Sequence, residues 1–162
     1  MRRKISSELL AWKDRPDRKP LILDGVRQCG KTYILKEFGR NEFDSMAYLD
    51  LERRRDLHPL FGDDLDPRRI VTNLGTALGR RIVPGRTLIV LDEVQSCPRA
   101  LTSLKYFCEE IPEQHIVCAG SLLGVLTSRQ ESFPVGKVDR LRMYPMSFLE
   151  FLEACGEGSL CD

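Results

Sequence analysis

Residues 25–32 read Gly25-Val26-Arg27-Gln28-Cys29-Gly30-Lys31-Thr32, an unbroken match to the phosphate-loop pattern G-x-x-x-x-G-K-[ST]. Glycines at both ends let the backbone wrap a phosphate chain, with successive N–H groups turned inward. The lysine ammonium then reaches the β- and γ-phosphates, and the Thr32 hydroxyl is a Mg²⁺ ligand. A helix starting at this point turns the positive end of its dipole toward the same anion. The candidate nucleotide-binding set is therefore Gly25, Val26, Arg27, Gln28, Cys29, Gly30, Lys31, Thr32 and the next residue, Tyr33. An empty glycine turn is the competing reading.

A second group lies at Thr87-Leu88-Ile89-Val90-Leu91-Asp92-Glu93. Leu88 to Leu91 suit a central parallel strand covered on both faces, and ligands in open α/β sheets sit at strand C-termini. Two adjacent carboxylates there divide two tasks. Asp92 would hold Mg²⁺ through its water shell, because this ion dehydrates reluctantly. Glu93 would polarise or position the water that attacks the γ-phosphate. The alternative is a solvated acidic pair closing a strand. A third apolar run, Ile116 to Gly120, ends in Ser121. In an additional-strand ATPase such a strand lies between the loop strand and the Asp-Glu strand, with its polar end beside the γ-phosphate. Ser121 fits that sensing position, and it equally fits a plain helix N-cap. Gln95 reads as an orienting amide or as an ordinary loop residue.

These groups need a frame, and the chain alternates strand and helix as a parallel α/β sheet requires. Ile5, Leu9 and Trp12 recur at helical spacing over residues 5–13, which makes Trp12 a core residue before an adenine platform. Lys19 to Asp24 is the loop strand. The helix after Thr32 carries Ile34, Leu35 and Phe38 on one side, with Gly39 as its expected stop. Met46 to Leu51 is a second strand, and Glu52 to Asp66 a polar surface loop. Asp66-Pro67 opens a helix with Asp as cap and Pro in the first turn, and its apolar face is Ile70, Val71, Leu74, Leu78 and Ile82. Pro98 opens the next helix, with Leu101, Leu104, Cys108 and Ile111 as its stripe and Pro112 as its stop. Residues 122–128 read as helical or irregular and 130–138 as a polar connection. Leu141 to Met143 is a fifth strand. Ser147-Phe148-Leu149-Glu150 is a capping box that starts a last helix, with Phe148, Phe151 and Leu152 available for burial.

Taken together, Gly25 to Thr32, Leu91-Asp92-Glu93-Val94-Gln95, Gly120-Ser121-Leu122-Leu123-Gly124 and Tyr144-Pro145-Met146-Ser147-Phe148-Leu149-Glu150-Phe151 resemble the AAA-type ATPases of bacteria and archaea that carry an uncharacterised C-terminal domain. The resemblance runs in order over nearly the whole chain. It implies an α/β three-layer sandwich, a P-loop NTPase with a five-stranded, mainly parallel sheet of order 5-1-4-3-2, binding ATP with Mg²⁺. The expected organisation is an ATPase core over residues 1–155 and a short tail over 156–162 with no lid or C-terminal domain, a departure from the family, whose members continue into further helical and C-terminal segments. The chain departs from the pattern at Gly136-Lys137, where members more often have Gly-Arg, so no arginine-dependent role is carried over there.

Composition is consistent with this. Of 162 residues, 42% are hydrophobic and 30% charged, as in ordinary globular domains. No apolar run approaches the ~18 residues of a membrane span, and the basic N-terminus leads into Ser6-Ser7-Glu8 rather than a signal core. The expected location is the cytoplasm. A net charge of +1 supplies no global field for nucleic acid. The basic clusters Arg2-Arg3-Lys4, Arg53-Arg54-Arg55, Arg68-Arg69 and Arg80-Arg81 read as solvated faces, leaving nucleic-acid contact unsupported. Six cysteines without a C-x₂-C spacing, and only His58 and His115, argue against zinc. Cys108 and Cys118 read as buried small hydrophobes. Cys29, inside the loop beside Lys31, reads either as a reactive thiol whose alkylation blocks nucleotide binding or as an inert one.

The leading functional expectation is Mg²⁺-dependent ATP hydrolysis, with Glu93, Lys31 and Ser121 as the catalytic set and Thr32 and Asp92 at the metal. The alternative is a nucleotide-dependent switch with little turnover. Lys137, Arg140 and Arg142 are open candidates for an arginine finger toward a second copy, and homo-oligomerisation is left open. A small-molecule kinase would not need Glu93 beside Asp92. A GTPase would need an Asn-Lys-x-Asp motif, which the sequence lacks.

Overall fold

The computed structural model describes residues 3–62, 64–121 and 133–155. The sequence readings on 122–128, on 130–132 and on the 156–162 tail lie outside the described residues. Five strands form: β1 (Leu21–Gly25), β2 (Ser45–Asp50), β3 (Thr87–Asp92), β4 (Ile116–Gly120) and β5 (Asp139–Met143). They make one sheet of order β2-β3-β4-β1-β5, the expected order read from the other edge. Each neighbouring pair is parallel. Register places Asp92 opposite Asp50, Gly120 opposite Asp24 and Met143 opposite Gly25. The phosphate loop, Asp92, Glu93 and Ser121 therefore lie at the C-terminal ends of their strands, whereas Lys137 and Arg140 lie near the start of β5.

Helices cover both faces. On one side α1 (Lys4–Asp14) and α2 (Lys31–Glu42) bring Ile5, Leu9, Trp12, Ile34, Leu35 and Phe38 onto the alternate strand residues Leu21, Leu23, Leu88, Val90, Val117 and Ala119. On the other, α3 (Pro67–Leu78) and α4 (Pro98–Glu110) bring Ile70, Leu74, Leu101, Leu104 and Phe107 onto Ile22, Leu49, Ile89, Leu91, Ile116 and Cys118. The central strands β3 and β4 are buried along their whole length, which is why they read as unbroken apolar runs. Trp12 is core, 3% exposed, and its indole N–H donates to the Lys19 carbonyl at 2.8 Å.

The start of α3 follows its sequence signals: Asp66 Oδ1 accepts from the Arg68 N–H at 3.0 Å with Pro67 in the first turn. Other readings need correction. Gly39 does not stop α2, which continues to Glu42. Its missing side chain serves packing instead, since a Cβ there would lie 2.5 Å from Met46 Sδ. The polar stretch 52–66 contains a 3₁₀ segment, Arg55–Phe61, whose Phe61 is fully buried in the α3/α4 layer. Cys108 is half-buried, and the adjacent Phe107 takes the core position. The capping box forms as read at Ser147, but α5 (Phe148–Ala154) buries none of its residues: Phe148 is 72% and Phe151 53% exposed. Nor is the first basic cluster solvated throughout. Arg3 is buried, donating to the carbonyls of Cys29 (2.9 Å) and Tyr144 (2.8 Å) and lying 3.6 Å from Glu150 Oε2.

Candidate phosphate-binding site

The site grows from the turn between β1 and α2. Gly30 adopts φ +92°, open to glycine and strained for any other residue, and it is the N-cap of α2. Gln28 also sits at positive φ, +61°. These left-handed steps curl Val26 to Gly30 over the helix N-terminus, with Val26, Arg27 and Gln28 exposed and Gly25 and Cys29 buried. Lys31 is only 6% exposed, and its Nζ donates to the carbonyls of Gly25 and Val26, both at 2.7 Å. Among the described residues the ion pairs do not include it. A buried ammonium held by loop carbonyls and the Cys29 sulfur is poised for an anion, because these acceptors do not neutralise its charge.

A hydrogen bond joins the loop to β3. Thr32 Oγ1 donates to Asp92 Oδ2 at 2.6 Å. The Tyr48 hydroxyl, from β2, donates to the same oxygen at 2.7 Å, and the Glu93 N–H donates to Oδ1 at 3.0 Å. Asp92 is 2% exposed, so these donors compensate a carboxylate withdrawn from water. Burial, followed by its bond to Asp92, pushes the Tyr48 phenol well above its ordinary range. Lys36 Nζ lies 4.3 Å from the Tyr48 ring centroid, within cation–π range. Sequence reasoning missed Tyr48. Its partner lies 44 positions away, and no local pattern marks a tyrosine in a strand as polar machinery.

Glu93 occupies the left-handed region at φ +52°, an outlier of the kind that gathers at functional sites. Its Oε2 accepts a close hydrogen bond from Gln95 Nε2, while Gln95 Oε1 is buried without a partner among the described residues. Ser121 is 4% exposed and follows Gly120, the register partner of Asp24, at the root of the loop. The structure thus brings together Gly25 to Thr32, Asp92, Glu93 and Ser121. Tyr33 is 61% exposed and lines a neighbouring cavity of about 520 Å³ with Arg27, Gln28, Pro145 and Met146. Cys29 turns inward, 7% exposed, with Sγ 3.7 Å from Lys31 Nζ, a shielded position that favours the inert reading over the reactive one. Cys29, Cys97, Cys108, Cys118 and Cys155 are free thiols. Lys137 pairs with Glu109 at 3.4 Å, whereas Arg140 and Arg142 lie over the rings of Phe133 and Tyr144.

Among the described residues no group of three or more His, Cys, Asp or Glu side chains could hold a metal. Thr32 and Asp92 offer one hydroxyl and one carboxylate, both hard oxygen donors of the kind that Mg²⁺ prefers.

A sequence profile for the AAA domain matches residues 17–152. The chain belongs to the AAA domain family. That places it among nucleotide-binding AAA cores, and its sheet order agrees. No curated protein matches the chain. The AAA domain described here also resembles two solved structures. One is the Aeropyrum pernix ORC1 protein in complex with DNA, with 17% identity and a TM-score of 0.56 over 95% of this chain and 47% of that one. The other is Drosophila ORC bound to DNA, with 16% identity and a TM-score of 0.55 over 93% and 43%. At such identities the likeness is one of fold, and the AAA domain spans less than half of either relative. No helix among the described residues is long and apolar enough to cross a membrane.

Proposed function

We propose that this AAA core, residues 1–155, binds ATP with Mg²⁺ in the cytoplasm and hydrolyses it. The observation that carries the proposal is the 2.6 Å bond from Thr32 to Asp92, which joins the phosphate loop to the acid on β3. Loop N–H groups and the Lys31 ammonium would take the β- and γ-phosphates, with phosphate oxygens replacing the carbonyls of Gly25 and Val26. Thr32 and Asp92 would hold Mg²⁺, whose charge compensates the oxygens of the transferred group. Glu93 would accept the proton of the attacking water, and Ser121 would face the γ-phosphate. The cavity lined by Arg27, Tyr33, Pro145 and Met146 lies beside the loop and would receive the nucleoside.

One observation favours a slow-turnover switch for the chain alone: Glu93 Oε2 is engaged by Gln95. Completion by a cation from a second copy is worth about 10³ or more in rate, so assembly would matter. Although both structural relatives are bound to DNA, a net charge of +1 leaves polyphosphate as the better-supported ligand here.

Calorimetry with ATP and Mg²⁺, combined with phosphate release, tests this. Lys31→Ala should abolish nucleotide binding, whereas Glu93→Gln should keep binding and lose turnover. Absence of binding heat for wild type at millimolar ATP overturns the proposal, and equal phosphate release by Glu93→Gln removes Glu93 from the mechanism. Solution mass with and without ATP reads assembly.

A further inference from the structure

Asp92 does not hold its orientation through Thr32 alone. The terminal torsion of an aspartate is soft, so one donor leaves the carboxylate free to rotate. Here the backbone N–H of Glu93 holds Oδ1, while Oδ2 receives two hydroxyls from different elements, Thr32 at 2.6 Å and Tyr48 at 2.7 Å. Strand geometry makes this specific. Tyr48 is two positions before Asp50, the register partner of Asp92, so it stands on the same sheet face and reaches Asp92 diagonally. That face is the one covered by α2. Lys36, one helical turn after Thr32, sits above the Tyr48 ring. One helix therefore supplies the threonine and also steadies the phenol that shares its acceptor.

We infer that Tyr48 is a positioning residue of the metal site: its hydroxyl fixes Asp92 so that Thr32 keeps its O–H directed at the carboxylate and the lone pairs of the Thr32 oxygen remain free to ligate Mg²⁺. This rests on the ATP–Mg²⁺ reading above. Tyr48 touches neither nucleotide nor metal in this role. It sets how much Mg²⁺ the site needs and leaves the polyphosphate grip of the loop and the chemical step alone. A merely structural tyrosine, by contrast, would change stability and leave the metal requirement unmoved.

The test is Tyr48→Phe, which removes one oxygen and keeps the ring under Lys36. Affinity for a fluorescent ATP analogue is measured in EDTA and across a Mg²⁺ titration, and phosphate release is followed over the same titration. Expected are equal affinity in EDTA within about twofold, a Mg²⁺ midpoint raised about tenfold, and an unchanged maximal rate once Mg²⁺ saturates. A second variant with 4-aminophenylalanine at position 48 restores an N–H donor and should return the midpoint toward wild type. Identical Mg²⁺ midpoints for wild type and Tyr48→Phe overturn the role of Tyr48 while leaving the ATP reading intact. The role is overturned equally if the 4-amino variant shifts as far as Tyr48→Phe. Wild-type protein that binds no nucleotide in either condition overturns the ATP reading and this inference with it.

Discussion

Gly25 ends β1 directly against the carbonyl of Met143 on β5: a Cβ built on the glycine would lie 2.5 Å from that oxygen and 3.1 Å from Cys29 Sγ. Neither neighbour is the loose end of a flexible side chain, so even a methyl group must push β1 away from β5 at the root of the phosphate loop. Gly25→Ala should cost about 2 kcal/mol or more of unfolding free energy in urea and weaken nucleotide binding. Gly39→Ala is the matched control. Its Cβ meets the mobile thioether of Met46, and its helix propensity improves by about 1 kcal/mol, so its net cost should be smaller. Equal urea midpoints for the two variants would show that the β1–β5 contact yields freely.

The buried guanidinium of Arg3 joins three segments far apart in sequence, through the carbonyls of Cys29 and Tyr144 and the carboxylate of Glu150. The Ser147 N–H, then the Lys4 N–H and Arg3, hold the Glu150 carboxyl below its ordinary range. Arg3→Ala would leave these acceptors without their shared donor, at about 3 kcal/mol in urea unfolding. Amide exchange in residues 27–30 should quicken with it. Arg3→Lys should recover less than half of the loss, because the three N–H groups of an ammonium spread from one atom and cannot span the separated acceptors that two guanidinium nitrogens reach. A change under about 0.5 kcal/mol for Arg3→Ala would mean the clamp stabilises nothing.

His115 lies at the opposite edge of the sheet, against the rings of Trp12 and Phe43. Burial, and then the Arg18 guanidinium, hold its imidazole down to about 4 from the ordinary 6.5. The folded protein therefore keeps it neutral where the unfolded chain takes up a proton. Its contribution is complete above about pH 6.5, declines as the pH falls toward 4 and is lost below that. With allowance for partial solvation, the decline amounts to about 2 kcal/mol. Urea midpoints measured from pH 7.5 to 4 should fall accordingly, and His115→Gln should flatten that part of the curve. Parallel pH profiles for the two proteins would contradict this.

What could be read from the chain were features whose signal is local. The phosphate loop, the Asp66-Pro67 helix start and the Ser147 capping box each declare themselves within a few residues, because the groups they satisfy are neighbours in sequence. The strand order was legible through the family resemblance. What could not be read depends on distant partners. Arg3 looked like part of a solvated basic run until a carbonyl 26 positions away and another 141 away enclosed it. Tyr48 became polar machinery only through Asp92. Gly39 reads as a helix stop because glycine commonly ends helices, yet it makes room for Met46 on the neighbouring strand. The apolar residues of α5 carried a burial signal, but no element among the described residues covers them.

An all-parallel sheet has two unlike rims. Every residue proposed for chemistry stands where strands finish, while the Trp12, Phe43 and His115 cluster stands where they begin, some five residues or about 17 Å away. Lowering this protein's sensitivity to acid is thus a task for one end of the molecule and retuning its reactivity a task for the other, and libraries built at each end can be screened separately and then combined.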